Sequence, residues 1–384
     1  MLHAIVAELE IPMRIRAISF ALAWLCAACC AVAQTASTPA PPLFPIRSGD
    51  LHGLIDASGR VVFAPAYAEL KIGDPLVMLR KGTRTAYADA GGRIVVPPQE
   101  AWTQPFAEGL VPASVKDASG RFRWGYAEPN GTLAIAAAYD EARPFAGGLA
   151  VVGQLDAWGR MKYGAIDRSG RLVVPAVHEK LLAPAGGLVR SESKERRHRV
   201  FDVQGRDITP ANVDFVGIPS EGMVRVWSGR AQGFMTSAGE LRIAPAYQQA
   251  GDFKGGRAKV WIDGKYGFVD TQGKLAVPAK FDAVEDFADG LALVWRDGRS
   301  FYIDLQGEVA IEPQVERATS FSGGLAAVRV AGKHGYIDRR GRIVIEPQYS
   351  FARPFFNGLA YVGIGRESLY IKPDGTVVWR SAGP

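Results

Sequence analysis

Cysteine is nearly absent from this 384-residue chain, and the three present, Cys26, Cys29 and Cys30, crowd together near the N-terminus. Everything after them is free of thiolate, which excludes disulfides, iron–sulfur clusters, thiolate zinc sites and a cysteine nucleophile. Histidine is almost as scarce, five residues in all. There is no HExxH or other paired-histidine spacing for a metal, and no GxSxG elbow for a serine nucleophile. Charge of one sign is lacking too: 45 Lys+Arg against 39 Asp+Glu leave a net +6, with the signs interspersed. A nucleic-acid partner would call for a basic stripe on one face, so none is expected. The longest apolar run, Ala17 to Cys30, falls short of the roughly 20 residues a spanning helix needs.

That apolar run has a different reading. Arg14 and Arg16 precede it, and Ala31-Val32-Ala33 before Gln34 follows it as a small-x-small cleavage site. This is the pattern of a secretory signal over residues 1–33, with Met13 an alternative start because Glu8 and Glu10 are unusual ahead of the basic pair. A lipid anchor is the lesser alternative, since Cys26-Ala27-Ala28 ahead of Cys29 fits its motif badly. The expectation is an exported protein of the periplasm, cell surface or extracellular space, with no membrane span once processed. Residues 34–46, rich in Pro, Ser and Thr, are expected to form an extended tether.

Glycine, by contrast, is abundant, at 44 residues. Ten of them, from Gly59 to Gly375, close short turns at spacings of 33, 39, 39 and 35 residues and then 34 five times. A fixed period means stacked units, here about ten over residues 47–384. Each unit reads as three strands. In the eighth, Leu291 to Trp295, Phe301 to Leu305 and Glu308 to Pro313 alternate small or β-branched residues between Gly-bearing turns. Aspartate stands three residues before the turn glycine in seven copies (Asp56, Asp89, Asp167, Asp202, Asp270, Asp304, Asp338), placed to accept main-chain N–H groups across the turn. One carboxylate per unit is too few for Ca²⁺, which takes 6–8 oxygens. Proline ends the third strand, an aromatic slot follows, and a Phe six residues on (Phe253, Phe287, Phe321, Phe355) precedes a Gly-Leu step. One such meander has too little core to stand alone, so stacking must supply the burial.

Trp124-Gly125, Tyr163-Gly164, Tyr266-Gly267 and His334-Gly335 sit six residues before the turn glycine. They are followed by [FIY]-[VI]-D-x-x-G-[KR]-[ILV]-x-[VI]-x-P, most clearly at 233–290 and 324–375. In this the chain resembles the WG-repeat family of bacterial proteins. Copies two, five, eight and ten depart from the motif, with Ala86, Arg199, Phe301 and Leu369 in place of its glycine. The resemblance implies β-rich repeats in secreted or envelope-associated proteins and no single activity. The fold expected is all-β: tandem three-stranded antiparallel repeats of about 34 residues in an open curved solenoid or superhelix, with propeller-like closure as the alternative. Ten units exceed the usual 4–8 blades.

Candidate chemistry is sparse. His52, His198 and His334 occupy the slot that holds Trp124 and Tyr266 elsewhere, so packing accounts for them. The basic run Lys194 to Arg199 is expected at a solvated hairpin tip, with contact to an anionic polymer as the alternative. No catalytic residue, metal ligand or cofactor is expected. One feature exceeds the needs of the repeat: Trp227, Trp261 and Trp295 recur 34 residues apart on the first strand, beside Arg225, Lys259 and Arg329. Such a column is either an internal ladder or a ligand surface. The function expected is a secreted, non-enzymatic, monomeric scaffold for protein or envelope-surface interactions. One alternative is a glycan- or peptidoglycan-binding module using the tryptophans. Another is a hydrolase using the longer units (109–187), where no nucleophile–base pair is visible.

Overall fold

In the seventh repeat Ala258–Ile262, Lys265–Val269 and Leu275–Phe281 form an antiparallel meander. Its first hairpin closes on Asp263-Gly264, both at positive φ, which matches the twist of the flanking strands. The second turn is built on Asp270, whose Oδ1 accepts the N–H groups of Gln272 (3.0 Å) and Lys274 (2.9 Å). The same bracket forms at the other six aspartates. An arginine four residues on often closes over it, as Arg342 does on Asp338 (2.6 Å). The carboxylates are thus spent on turns.

Residues 41–100, 102–194 and 197–381 are described by this computed structural model. The expected secretory signal and all three cysteines lie outside them. So does most of the expected tether, but its last residues are a correction: Leu43–Ser48 is a strand of the first sheet, with Phe44 and Ile46 buried. The polar composition of 34–41 does not extend to these apolar side chains, and their burial outweighs the flexibility of a linker.

Strands and no helices make up the described residues, in ten sheets. The third strand of a repeat does not stop at its sheet edge. One residue beyond Phe281 the chain pairs again, as Ala283–Val284, with the first strand of the next sheet. Three main strands per repeat therefore build four-stranded sheets in seven of the ten. The switch residue Asp282 also accepts the N–H of Asp297 (2.9 Å), tying the next hairpin down.

Successive sheets are joined by one recurring aromatic pair. The ring at the [FIY] position of one repeat meets, edge to face, the Phe that precedes the Gly-Leu step of the next. Centroids are 4.8 Å apart in Phe268–Phe287 and Tyr302–Phe321, and 4.9 Å in Tyr336–Phe355. Where the first ring is tyrosine its hydroxyl donates to a carbonyl seventeen residues on, at 2.7 Å for Thr319 and Arg353. Each pair adds about 0.5–1.5 kcal/mol to its burial.

An open array of ten sheets has nine junctions; this one has ten. Nine core clusters join consecutive sheets. A tenth joins the last sheet to the first, through Phe44, Ile46 and Ile55 against Leu359 and Tyr370. The Tyr370 hydroxyl donates to the Pro45 carbonyl at 2.8 Å. The array of tandem antiparallel repeats is therefore closed, which is the propeller-like alternative rather than the open solenoid. The apolar residues of the supposed tether supply the contact that closes it.

A cleft at the eighth repeat

The glycine of the Gly-bearing pair has a packing reason. A Cβ built on it would fall under 3 Å from the main chain of the third strand, 2.6 Å from the Val174 oxygen at Gly164 and 2.6 Å from Val277 at Gly267. The third strand bulges across this residue, and the register shifts there, between Tyr266 and Phe268 for example. Any side chain would occupy the space the bulge needs.

The four repeats without this glycine solve the problem differently. In the second the bulge shortens by one residue, so that Thr85 pairs with Gln99. In the tenth the third strand runs on regularly, with Leu369 opposite Arg380. In the fifth no third strand forms, and the sheet keeps two strands. In the eighth, Ile303 pairs with Val309 and Tyr302 with Ile311, as in the other repeats, and there the strand ends. Phe301 stands where the bulge would lie, and Glu312 to Val315 make no strand pairing, Val315 packing like Trp295 against the core between the eighth and ninth sheets.

That departure opens a cleft of about 1110 Å³ between the eighth and ninth sheets. Trp295, Arg296, Arg299, Ser300 and Phe301 form one wall; Glu312 and Glu316 stand on the other. Phe301 is largely buried and Trp295 half-buried, while Arg299 and Glu312 are exposed. The Arg296 guanidinium lies over the Phe301 ring, 5.3 Å from its centroid, inside the roughly 6 Å reach of a cation–π pair. A smaller cleft of about 500 Å³ lies beside the fifth repeat, lined by His178, Glu192, Lys194 and Arg199 among others. Both clefts border repeats that have lost the glycine.

The three tryptophans occupy equivalent register positions, pairing with Gln232, Tyr266 and Ser300 in turn. Their surroundings differ. Trp227 meets the edge of Phe215 (4.8 Å) and carries Arg225 on its ring (4.7 Å). Trp261 meets Tyr266 at 4.5 Å. Of the three, Trp295 lines the cleft. The cations reach across to acids: Arg225 to Asp252 (3.3 Å) and Lys259 to Asp286 (3.0 Å), each on the following repeat, and Arg329 to Glu316 (3.5 Å). Arg225 and Lys259 thus stitch neighbouring sheets together, and Arg329 steadies one wall of the cleft.

The basic run of the fifth repeat is partly neutralised. Lys194 pairs with Glu179 at 3.2 Å and Arg199 with Asp207; Glu195 and Arg196 lie outside the described residues. His198 is buried, its ring 3.9 Å from that of Phe215, and burial pushes its pKa down. The long hairpin of the fourth repeat presents Trp158, 79% exposed, with Arg160 stacked on it. Its place outside the 34-residue period was the available sign of it. Among the described residues no group of three or more His, Cys, Asp or Glu converges as a metal site, and no helix is long and apolar enough to cross a membrane.

Comparison with known proteins agrees with the repeat reading. No curated protein matches the chain. Solved structures with some likeness include a eukaryotic initiation factor, at 11% identity over 89% of this chain and 96% of that one, TM-score 0.45. Another is Hsv2 of Kluyveromyces lactis, at 11% identity over 63% and 97%, TM-score 0.32. A third is the extracellular domain of a putative hybrid two component system from B. thetaiotaomicron, at 10% over 87% and 55%, TM-score 0.24. The model of the WG containing repeat matches five stretches, residues 124–158, 233–266, 266–298, 301–333 and 335–365. Four of those stretches begin at a motif glycine or one residue before it, the fifth begins at its substitute Phe301, and each coincides with stacked meanders: this chain is a WG-repeat protein.

Proposed function

We propose that the protein is an exported, non-enzymatic β-repeat scaffold that binds another envelope protein through the cleft of its eighth repeat. One observation carries the reading. Turn aspartates, motif glycines, paired aromatics and inter-sheet cations are occupied by the fold, whereas the eighth repeat gives up its third-strand pairing and opens an aromatic cleft with charged walls. Aromatic and arginine side chains at a partly enclosed site are the usual anchors of protein recognition. Export rests on the N-terminal sequence pattern, and the non-enzymatic reading on the lack of a nucleophile–base pair in the sequence. The glycan alternative drew on a three-tryptophan column, and it is weakened because Trp227 and Trp261 pack on aromatic neighbours.

A photo-cross-linking residue at the exposed position Arg299, in the processed protein mixed with envelope extract, tests this. The expected result is a discrete protein adduct, reduced at least tenfold by Trp295→Ala and absent when the cross-linker is moved to Arg230, outside the cleft. A saccharide adduct at the same position would favour the glycan reading, and no adduct would refute the scaffold role of the cleft.

A further inference from the structure

The eighth sheet lacks more than a stretch of pairing: it has a free main-chain edge. In each second strand, residues alternate between bonding the first strand and bonding the third. Asp304 N–H bonds Glu308 on the third-strand side (2.9 Å), so by alternation Tyr302 and Ser300 face that side too. In seven sheets the residue equivalent to Ser300 pairs with the third strand, as Tyr266 does with Phe281 and His334 with Tyr349. In the fifth, His198 N–H donates to the Asp214 carbonyl (2.8 Å). In the tenth, the Ser368 carbonyl accepts from Ser381 N–H (2.8 Å) and its N–H donates to Ser381 Oγ (3.0 Å). Ser300 is the exception, and the third strand has left it by Ile311.

We infer that the cleft takes an extended peptide segment of a partner protein as the missing third strand, pairing through the main chain with Ser300. The inference rests on the binding role proposed for the cleft and specifies how binding occurs. The space is the one in which sibling repeats lay a strand of this same chain, and an exposed edge of this kind is the template for strand addition. The tenth repeat shows the form such a strand takes when a side chain replaces the motif glycine: it runs regularly over Leu369, without the bulge, with Trp379 opposite Tyr370. A strand laid over Phe301 therefore pairs regularly as well. An aromatic residue opposite Ser300 would stand where Phe281 and Tyr349 stand in repeats seven and nine. Arg296 and Arg299 on one wall and Glu312 on the other favour a segment carrying charges of both signs.

Proline at Ser300 tests the pairing, because it removes the N–H that faces the cleft and leaves the bonds to the first strand, made by Arg299 and Phe301, in place. A random octapeptide display library is panned on the full processed chain, on Ser300→Pro and on Ser300→Ala. Peptides enriched on the wild type are expected to bind Ser300→Ala unchanged and Ser300→Pro at least tenfold more weakly. Copies of the selected peptides N-methylated at alternate residues are expected to lose binding in one of the two registers, a readout that stands even if Ser300→Pro fails to fold. No enrichment, equal binding to Ser300→Pro and wild type where both fold, or indifference to N-methylation in both registers would overturn the inference. If a protein adduct forms at Arg299 while the peptides behave in this second way, the scaffold role survives and strand addition does not.

Discussion

Asp56 shows how much a single repeated side chain carries. Its carboxylate accepts the Ser58 hydroxyl (2.6 Å), the N–H groups of Ser58 (2.9 Å) and Arg60 (3.1 Å), and the Arg60 guanidinium (2.9 Å). The Ser58 hydroxyl contributes most to holding its pKa below the ordinary carboxylate value. The Arg93 main-chain N–H does the same at Asp89, and the Arg342 guanidinium at Asp338. A carboxyl whose folded pKa is depressed stabilises the folded state above its unfolded value, near 3.9, and that contribution is lost as pH falls through the folded value. Urea midpoints are therefore expected to stay level from pH 7 to about 4.5 and to fall steeply from about 4 downwards. A midpoint rising below pH 4 would contradict the assignment. These turns were legible in the sequence, because an Asp three residues before a glycine forms its bonds within five residues of chain. The tyrosine hydroxyl bonds were not, since their acceptors belong to the next repeat.

At the scale of the element, the motif glycine and the third-strand bulge are one device. Gly267→Ala would place a methyl 2.6 Å from the Val277 oxygen and 2.8 Å from the Ala279 nitrogen, both main-chain atoms that cannot step aside alone. The expected cost is about 1–3 kcal/mol, as for other overpacked sites. It should appear as a lower urea midpoint together with faster amide exchange at Tyr266, the residue whose pairing with Phe281 would loosen. Loss of stability with Tyr266 exchange unchanged would mean that the strain is relieved elsewhere. The sequence marked Ala86, Arg199, Phe301 and Leu369 as departures, but the same departure yields a shorter bulge, a missing strand, a shortened strand and a regular one. Which of these follows depends on what the next repeat offers the strand to pack on. The tryptophan column was likewise legible as three residues in register. That Trp295 of the three lines a cleft depends on a strand ending at Ile311, sixteen residues later in the chain.

For the whole molecule, closure changes how stability is shared. In a linear array the terminal repeats each lack a neighbour and stability is a sum of nearest-neighbour terms. Here the first sheet covers the last, and Phe44 is buried against Tyr370, their centroids 5.7 Å apart. Phe44→Ala is expected to cost about 3–5 kcal/mol, with a single unfolding transition in the wild type and a broadened one, beginning in the tenth repeat, in the variant. Tyr370→Phe, which loses only the bond to Pro45, should cost about 1 kcal/mol. Calorimetry of the three proteins measures both effects. A Phe44→Ala protein as stable as the wild type would mean that the end-to-end contact does not hold the ring shut.

The period, the turn chemistry, the all-β strands and the aromatic pairing between units follow from the sequence alone, because each is set within a repeat or between a repeat and its neighbour. Closure does not, since it is the sum of small rotations over ten junctions and no single repeat records that sum. The role of Leu43 to Ser48 is decided there too: in an open array this strand would face solvent, and only the return of the tenth sheet gives Phe44 and Ile46 a place to bury. The cleft at Trp295 has the same origin. The sequence supplies a phenylalanine where a glycine belongs, and the packing of the eighth sheet against the ninth decides that the displaced strand leaves a space behind it.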